Sequence, residues 1–178
     1  MPDFLNAEDL RCTYYLLRHG QSTSNVEGII SSSRDLAYTE IHGLTPEGRS
    51  QAASAAGPLW DMLTTEGTEG TTKKRVVFVA SPFARAHQTA QECLDALLDK
   101  SSEKGPESIA IDSTVAMCDE LVERNFGRLD GDELFTYAYV WPLDKFNVTH
   151  TAFDVESVAA ACSRIRRALA ALDASLYS

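Results

Sequence analysis

Alternating strand-like and helix-like segments predict an α/β protein, a three-layer sandwich with a mostly parallel central sheet flanked by helices. Three features carry that expectation. Arg75-Val76-Val77-Phe78-Val79-Ala80 is a continuous apolar run of the kind buried on both faces of a parallel sheet. Residues Ala84 to Leu98 and Val158 to Leu176 repeat apolar positions at helical spacing. An earlier apolar run, Cys12 to Leu17, breaks off in Arg18-His19-Gly20, where a strand would meet a sharp turn.

In chain order, Cys12 to Leu17 is read as the first strand, followed by a polar loop from Gln21 to Gly43. Thr45-Pro46-Glu47 carries the marks of a helix start: a hydroxyl cap, a proline in the first turn and an acid at the positive end of the dipole. Ala52, Ala56, Leu59 and Leu63 then face inward. A breaker stretch, Glu66 to Thr72, ends that helix. After the Val76–Ala80 strand, Ser81-Pro82 closes the run. The next helix turns Ala86, Ala90, Cys93, Leu94 and Leu97 inward. Lys100 to Ser108 is linker-like, Ile109-Ala110-Ile111 a short strand, and Gly127 to Pro142 a loop with some helix. The last helix places Val155, Val158, Cys162, Ile165, Leu169, Leu172 and Leu176 on one apolar face, with Arg164, Arg166 and Arg167 on a solvated one.

The 178 residues are read as a single domain, long enough for a core without metal or disulfide staples. A net charge of −10 argues against general nucleic-acid binding and against an anionic membrane surface, both of which favour basic proteins. It also makes any cluster of arginines a local positive well. The four cysteines are scattered and read as reduced core thiols. There is no basic, apolar N-terminal leader and no run near the roughly 20 apolar residues of a membrane span. A cytoplasmic setting is the expectation.

Chemistry gathers at the strand ends, where α/β proteins commonly bind ligands. Arg18 offers planar, bidentate donors to a phosphate, and a neutral imidazole at His19 can attack phosphorus. Arg85 stands in the same relative place after its own strand. Alone it reads as a surface arginine; beside a second phosphate-shaped motif it reads as the other half of a clamp. His42 and His150 are read as loop histidines. No carboxylate cluster carries histidine at ligand spacing, so neither metal nor cofactor is expected.

Arg18-His19-Gly20-Gln21-Ser22 followed by Asn25 resembles the signature of the histidine phosphatase superfamily, the branch that includes cofactor-dependent phosphoglycerate mutases. Gly43 to Ala52, Ser81 to Ala90, Glu123-Arg124-Asn125-Phe126-Gly127 and Glu156-Ser157 are similar to later family segments, in the same order. The resemblance implies a phosphoglycerate mutase-like fold. His19 would be the nucleophile that becomes a phosphohistidine, with Arg18, Arg85 and Asn25 binding the phosphate. Glu123 would protonate the leaving group and then activate water. Glu120 is the rival acid; Glu123 is preferred for its four-residue distance from Gly127, the family spacing.

The family also has a second histidine in a His-Gly pair, on a strand after the Val158–Leu176 helix. Here the chain reaches Ser178 with no His-Gly pair besides His19-Gly20, so a truncated product is the expectation. Hydrolysis of a small phosphorylated metabolite is preferred over mutase-type phosphoryl transfer. A catalytically impaired phosphate-binding protein is the third alternative.

Overall fold

Hydroxyl side chains set where three helices begin. Thr45 Oγ1 accepts from Gly48 N at 3.1 Å, Ser22 Oγ from Asn25 N at 3.3 Å, and Ser157 Oγ from Ala160 N at 3.2 Å. Each satisfies an amide that the helix itself leaves unpaired. The computed structural model describes residues 10–65, 74–104 and 109–177. In order they form α1 (Thr23–Glu27), α2 (Pro46–Ser54), α3 (Ala56–Thr65), β1 (Lys74–Ala80), α4 (Ala84–Lys104), β2 (Ile109–Met117), α5 (Tyr137–Phe146) and α6 (Val158–Leu176), joined by loops and short 3₁₀ turns.

β1 and β2 pair in parallel across the α4 crossover, with Lys74 opposite Ile109 and Ala80 opposite Met117. Their apolar side chains Val76, Phe78, Ile109 and Ile111 pack on Ala56 and Leu63 of α3 and on Cys93 and Leu97 of α4. A second core joins Ile30, Phe126, Leu129, Val140 and Val155, and so binds α5 to the loops around it. This is the α/β arrangement of helices around a parallel sheet that the alternating pattern predicts. No helix among the described residues is long and apolar enough to cross a membrane.

Several elements differ in extent or placement. The expected continuous helix through Ala52 and Leu63 breaks between α2 and α3. Helix α4 runs on into residues read as a linker, and β2 extends well past Ile111. Residues Glu66 to Thr72 lie outside the described residues, as do 105–108. Val76 to Val79 are half-buried rather than enclosed on both faces, because the α3 and α4 side chains cover one side of the pair. Of the four cysteines, Cys93 is buried in the core, while Cys162 is exposed.

Two differences matter for the site. Cys12 to Leu17 takes no part in the sheet, which has two strands among the described residues, and Leu16 is 94% exposed. The amides that begin this segment are bound by a side chain instead. Asp173 of α6 accepts from Arg11 N at 3.0 Å, Cys12 N at 2.9 Å and the Tyr14 hydroxyl at 3.2 Å. Helix α6 is also turned relative to its apolar stripe: Ala161, Arg164, Ala168 and Asp173 are buried, whereas Ile165 is exposed. Burial of the two charged groups is offset because each is surrounded by hydrogen-bond partners.

The amide of Cys12, together with Arg11, holds the Asp173 carboxyl down at about 2, against an ordinary 3.8. A depressed carboxyl stabilises the fold above its ordinary pKa, and that contribution fades as pH falls toward the folded value. The stability difference between wild type and Asp173→Asn is therefore expected to narrow as pH drops from about 5 to about 2.5. Paired urea melts at the two pH values check this; a constant difference refutes it.

Candidate active site

His19 is fixed where two backbones touch. A Cβ on Gly20 would lie 2.2 Å from the Gly48 carbonyl oxygen, and one on Gly48 would lie 2.0 Å from that of Gln21. Only two glycines let the 19–21 loop rest on the first turn of α2. Thr45 secures the same contact, donating its amide to Gln21 O at 3.0 Å. From the other side, Gly20 N donates to Thr89 Oγ1 at 3.1 Å, and the Thr89 hydroxyl donates to Arg85 O at 2.7 Å. The His19 loop and the first turns of α4 thus share one hydroxyl.

The imidazole is half-buried, with Nδ1 2.8 Å from Gly20 O. A carbonyl can only accept, so Nδ1 carries the proton and Nε2 keeps its lone pair. Burial pushes the ring's pKa below the ordinary 6.5 and the charges of Arg85 and Arg18 push the same way, while the hydrogen bond to Gly20 O and the charge of Glu123 oppose them. The lowered pKa and this tautomer leave the outer nitrogen with its lone pair at neutral pH.

His19 lines two cavities. One, of about 430 Å³, is bounded by Arg18, Gly20, Asn25, Gln51 and Ala52. The other, of about 300 Å³, is bounded by Ser81, Phe83, Arg85, Glu123, Arg124 and Arg164. The residues singled out in the sequence therefore meet at His19 but on two flanks: Arg18 and Asn25 on one, Arg85 and Glu123 on the other. Arg18 and Arg85 approach the ring from different elements. Arg18 precedes His19 on a segment that never joins the sheet, whereas Arg85 is held by α4.

Arg85 is 6% exposed. Its guanidinium donates to Ser31 O at 2.9 Å and Ser31 Oγ at 3.3 Å, and lies 4.7 Å over the Phe83 ring. Burial lowers its pKa, while the Glu123 carboxylate, 3.8 Å away, works in the opposite direction. Ser31 occupies two of the five donors, leaving others for an anion. Arg18 is exposed and makes no hydrogen bond or ion pair among the described residues. Asn25 accepts from Ser22 N through Oδ1 at 3.0 Å, so its amide NH₂ group is not used by that cap.

Between the rival acids the geometry is clear. Glu123 lines the cavity with His19 and Arg85. Glu120 is turned to α6, 3.6 Å from Arg167. Residues the sequence reading did not single out also gather here. Thr89 could have been found as the residue one helical turn after Arg85. Ser31 gave no signal, since it is one serine among several in a polar loop. Tyr137, half-buried, has its pKa raised by burial, with the charge of Glu123 acting in the same direction. His150 sits in a loop as expected, but its ring is 2.7 Å from Asp144 Oδ1.

The model of the histidine phosphatase superfamily (branch 1) matches residues 14–177. The chain belongs to that superfamily. No curated protein matches it. Among solved structures of this fold, mycobacterial hydrolase 1 is 22% identical with a TM-score of 0.60, over 88% of this chain and 62% of that one. A mycobacterial glucosyl-3-phosphoglycerate phosphatase is 22% identical with a TM-score of 0.57, over 88% and 61%. A candidate α-ribazole-5′-phosphate phosphatase from Escherichia coli is 20% identical with a TM-score of 0.55, over 90% and 66%. The chain spans about three fifths of the length of the first two.

In most helices Gly→Ala adds stability of about 1 kcal/mol. At Gly48 the backbone contact with Gln21 reverses the sign. Gly48→Ala is expected to cost about 1–3 kcal/mol, read as a lower urea midpoint. A gain would show that the 19–21 loop does not rest on α2 as described.

Proposed function

We propose that this superfamily member hydrolyses the phosphomonoester of a small phosphorylated metabolite through a phosphohistidine on His19. The supporting observation is a neutral imidazole whose Nδ1–H is committed to Gly20 O, lining a cavity with a buried arginine and a glutamate. The Nε2 lone pair attacks phosphorus, and the ester P–O bond breaks. Arg85 neutralises charge on the transferring group, with Arg18 and the Asn25 amide contributing from the other flank. Glu123 gives its proton to the departing oxygen. Water then attacks the phosphohistidine, Glu123 takes its proton, and inorganic phosphate leaves with His19 restored.

Two of the structural neighbours are named for phosphorylated small molecules, glucosyl-3-phosphoglycerate and α-ribazole-5′-phosphate; they support a substrate of that class. The acidic surface, at a net −10, supports neither nucleic acid nor a membrane as partner.

His19→Ala is expected to abolish turnover of an aryl phosphate and to remove the acid-labile, base-stable phosphate that the wild type acquires from substrate. Undiminished turnover in that variant eliminates the mechanism. The pH profile supplies a second test. Because attack requires the neutral ring and its pKa is depressed, kcat/KM should fall on the acid side with a midpoint below 6.5. A midpoint above that value contradicts the assignment.

A further inference from the structure

The loop carrying Glu123 is gripped by two arginines, one buried and one half-buried, and its own carboxylate is the part left facing the cavity. On one side is Arg164 of α6, its side chain 5% exposed. Its guanidinium donates to the carbonyl oxygens of Glu120 and, at 3.0 Å, of Val122. The same group donates to both carboxylate oxygens of Glu156, at 3.0 and 2.8 Å. Glu156 in turn takes hold of the loop beyond Glu123: its amide donates to Asn125 O at 2.8 Å, and its carboxylate accepts from Asn125 N at 3.3 Å. On the other side, Arg124 donates to Glu156 O at 2.6 Å and makes a two-pronged pair with Asp144 at 2.7 and 2.8 Å.

Glu120, Val122, Arg124 and Asn125 are therefore all tied down. Glu123 bonds only to the next amide, Arg124 N, at 3.0 Å, and faces Arg85. Arg164 is suited to this in a way lysine is not, since a planar fork can hold two carbonyls and a carboxylate together. A residue this buried and fully engaged is more than a solvated helical cation.

Building on the phosphohistidine reading, we infer that Arg164, acting with Glu156, is a positioning residue that fixes the Glu123 carboxyl at the leaving-group side of the phosphoryl cavity. It touches neither substrate nor phosphorus in this role. Its loss should harm proton delivery and leave phosphate binding and the His19 attack largely intact.

Proton delivery matters in proportion to how poor the leaving group is, and this separates positioning from general structure. In Arg164→Ala, kcat/KM for an alkyl phosphate is expected to fall by about ten- to a hundredfold. For 2,4-dinitrophenyl phosphate, which needs no proton, it should stay within about threefold. Glu123→Gln should show the same selectivity, and adding Arg164→Ala to Glu123→Gln should change little further. Equal losses on both substrates, or additive effects in the double variant, overturn the inference. His19→Ala, in contrast, removes both activities if the phosphohistidine reading holds, so the two can fail separately.

A readout independent of turnover keeps the test open if Arg164→Ala folds poorly. In Arg164→Lys, amide hydrogen exchange at residues 122–125 should accelerate at least about tenfold, while β1 and α4 keep their protection. Unchanged exchange in that loop overturns the inference.

Discussion

The hydroxyl of Thr89 is the hinge of the site. It donates to the Arg85 carbonyl within α4 and accepts the amide of Gly20, so the His19 loop is referenced to the helix that carries the buried arginine. The segment before His19 forms no strand pairing, and the loop after it is held by side-chain caps and by the contact with α2. A backbone anchored from two directions leaves the imidazole one hydrogen bond, to Gly20 O, and that bond decides the tautomer. Placement, protonation state and nucleophilicity of His19 thus descend from a few contacts near one glycine.

The sequence revealed the local chemistry well because that chemistry is local. A cap at Thr45 and a proline in the first turn are each read within a few residues, and the structure places them as read. Arg85 was legible for the same reason, following an apolar strand by a handful of positions. What escaped was the part decided by distant partners. Arg164 stands opposite an apolar stripe, a pattern that normally means solvent. It is buried because Glu156 and two carbonyls from the loop after β2 converge on it, and no periodicity within α6 encodes their presence. Cys12 to Leu17 shows the converse: its composition suits a strand, but strand pairing is a property of neighbours, and here Asp173 takes the amides at its start.

Burial also sorts the charges of the site. Arg124 and Arg164 line the cavity, yet each makes a close pair with a carboxylate, Asp144 and Glu156 respectively, which His150 and Arg34 also contact. Arg85 shares Glu123 at the longer distance of 3.8 Å, and no carboxylate pairs with Arg18 among the described residues. The net positive charge available to an anion therefore rises toward the imidazole, although cations surround the whole cleft. This gradient follows from pairing rather than from the number of arginines.

An acidic body sharpens the effect. At a net −10, the field over most of the surface repels a phosphate ester, and only a region whose cations are incompletely neutralised can reverse it. The imidazole lies between the two arginines that meet this condition, and their charges, added to its burial, help keep it unprotonated. The same guanidiniums that would attract the dianion therefore also preserve the lone pair that would attack it. Glu123 works against both effects when ionised, since it weakens Arg85 and raises the ring's pKa.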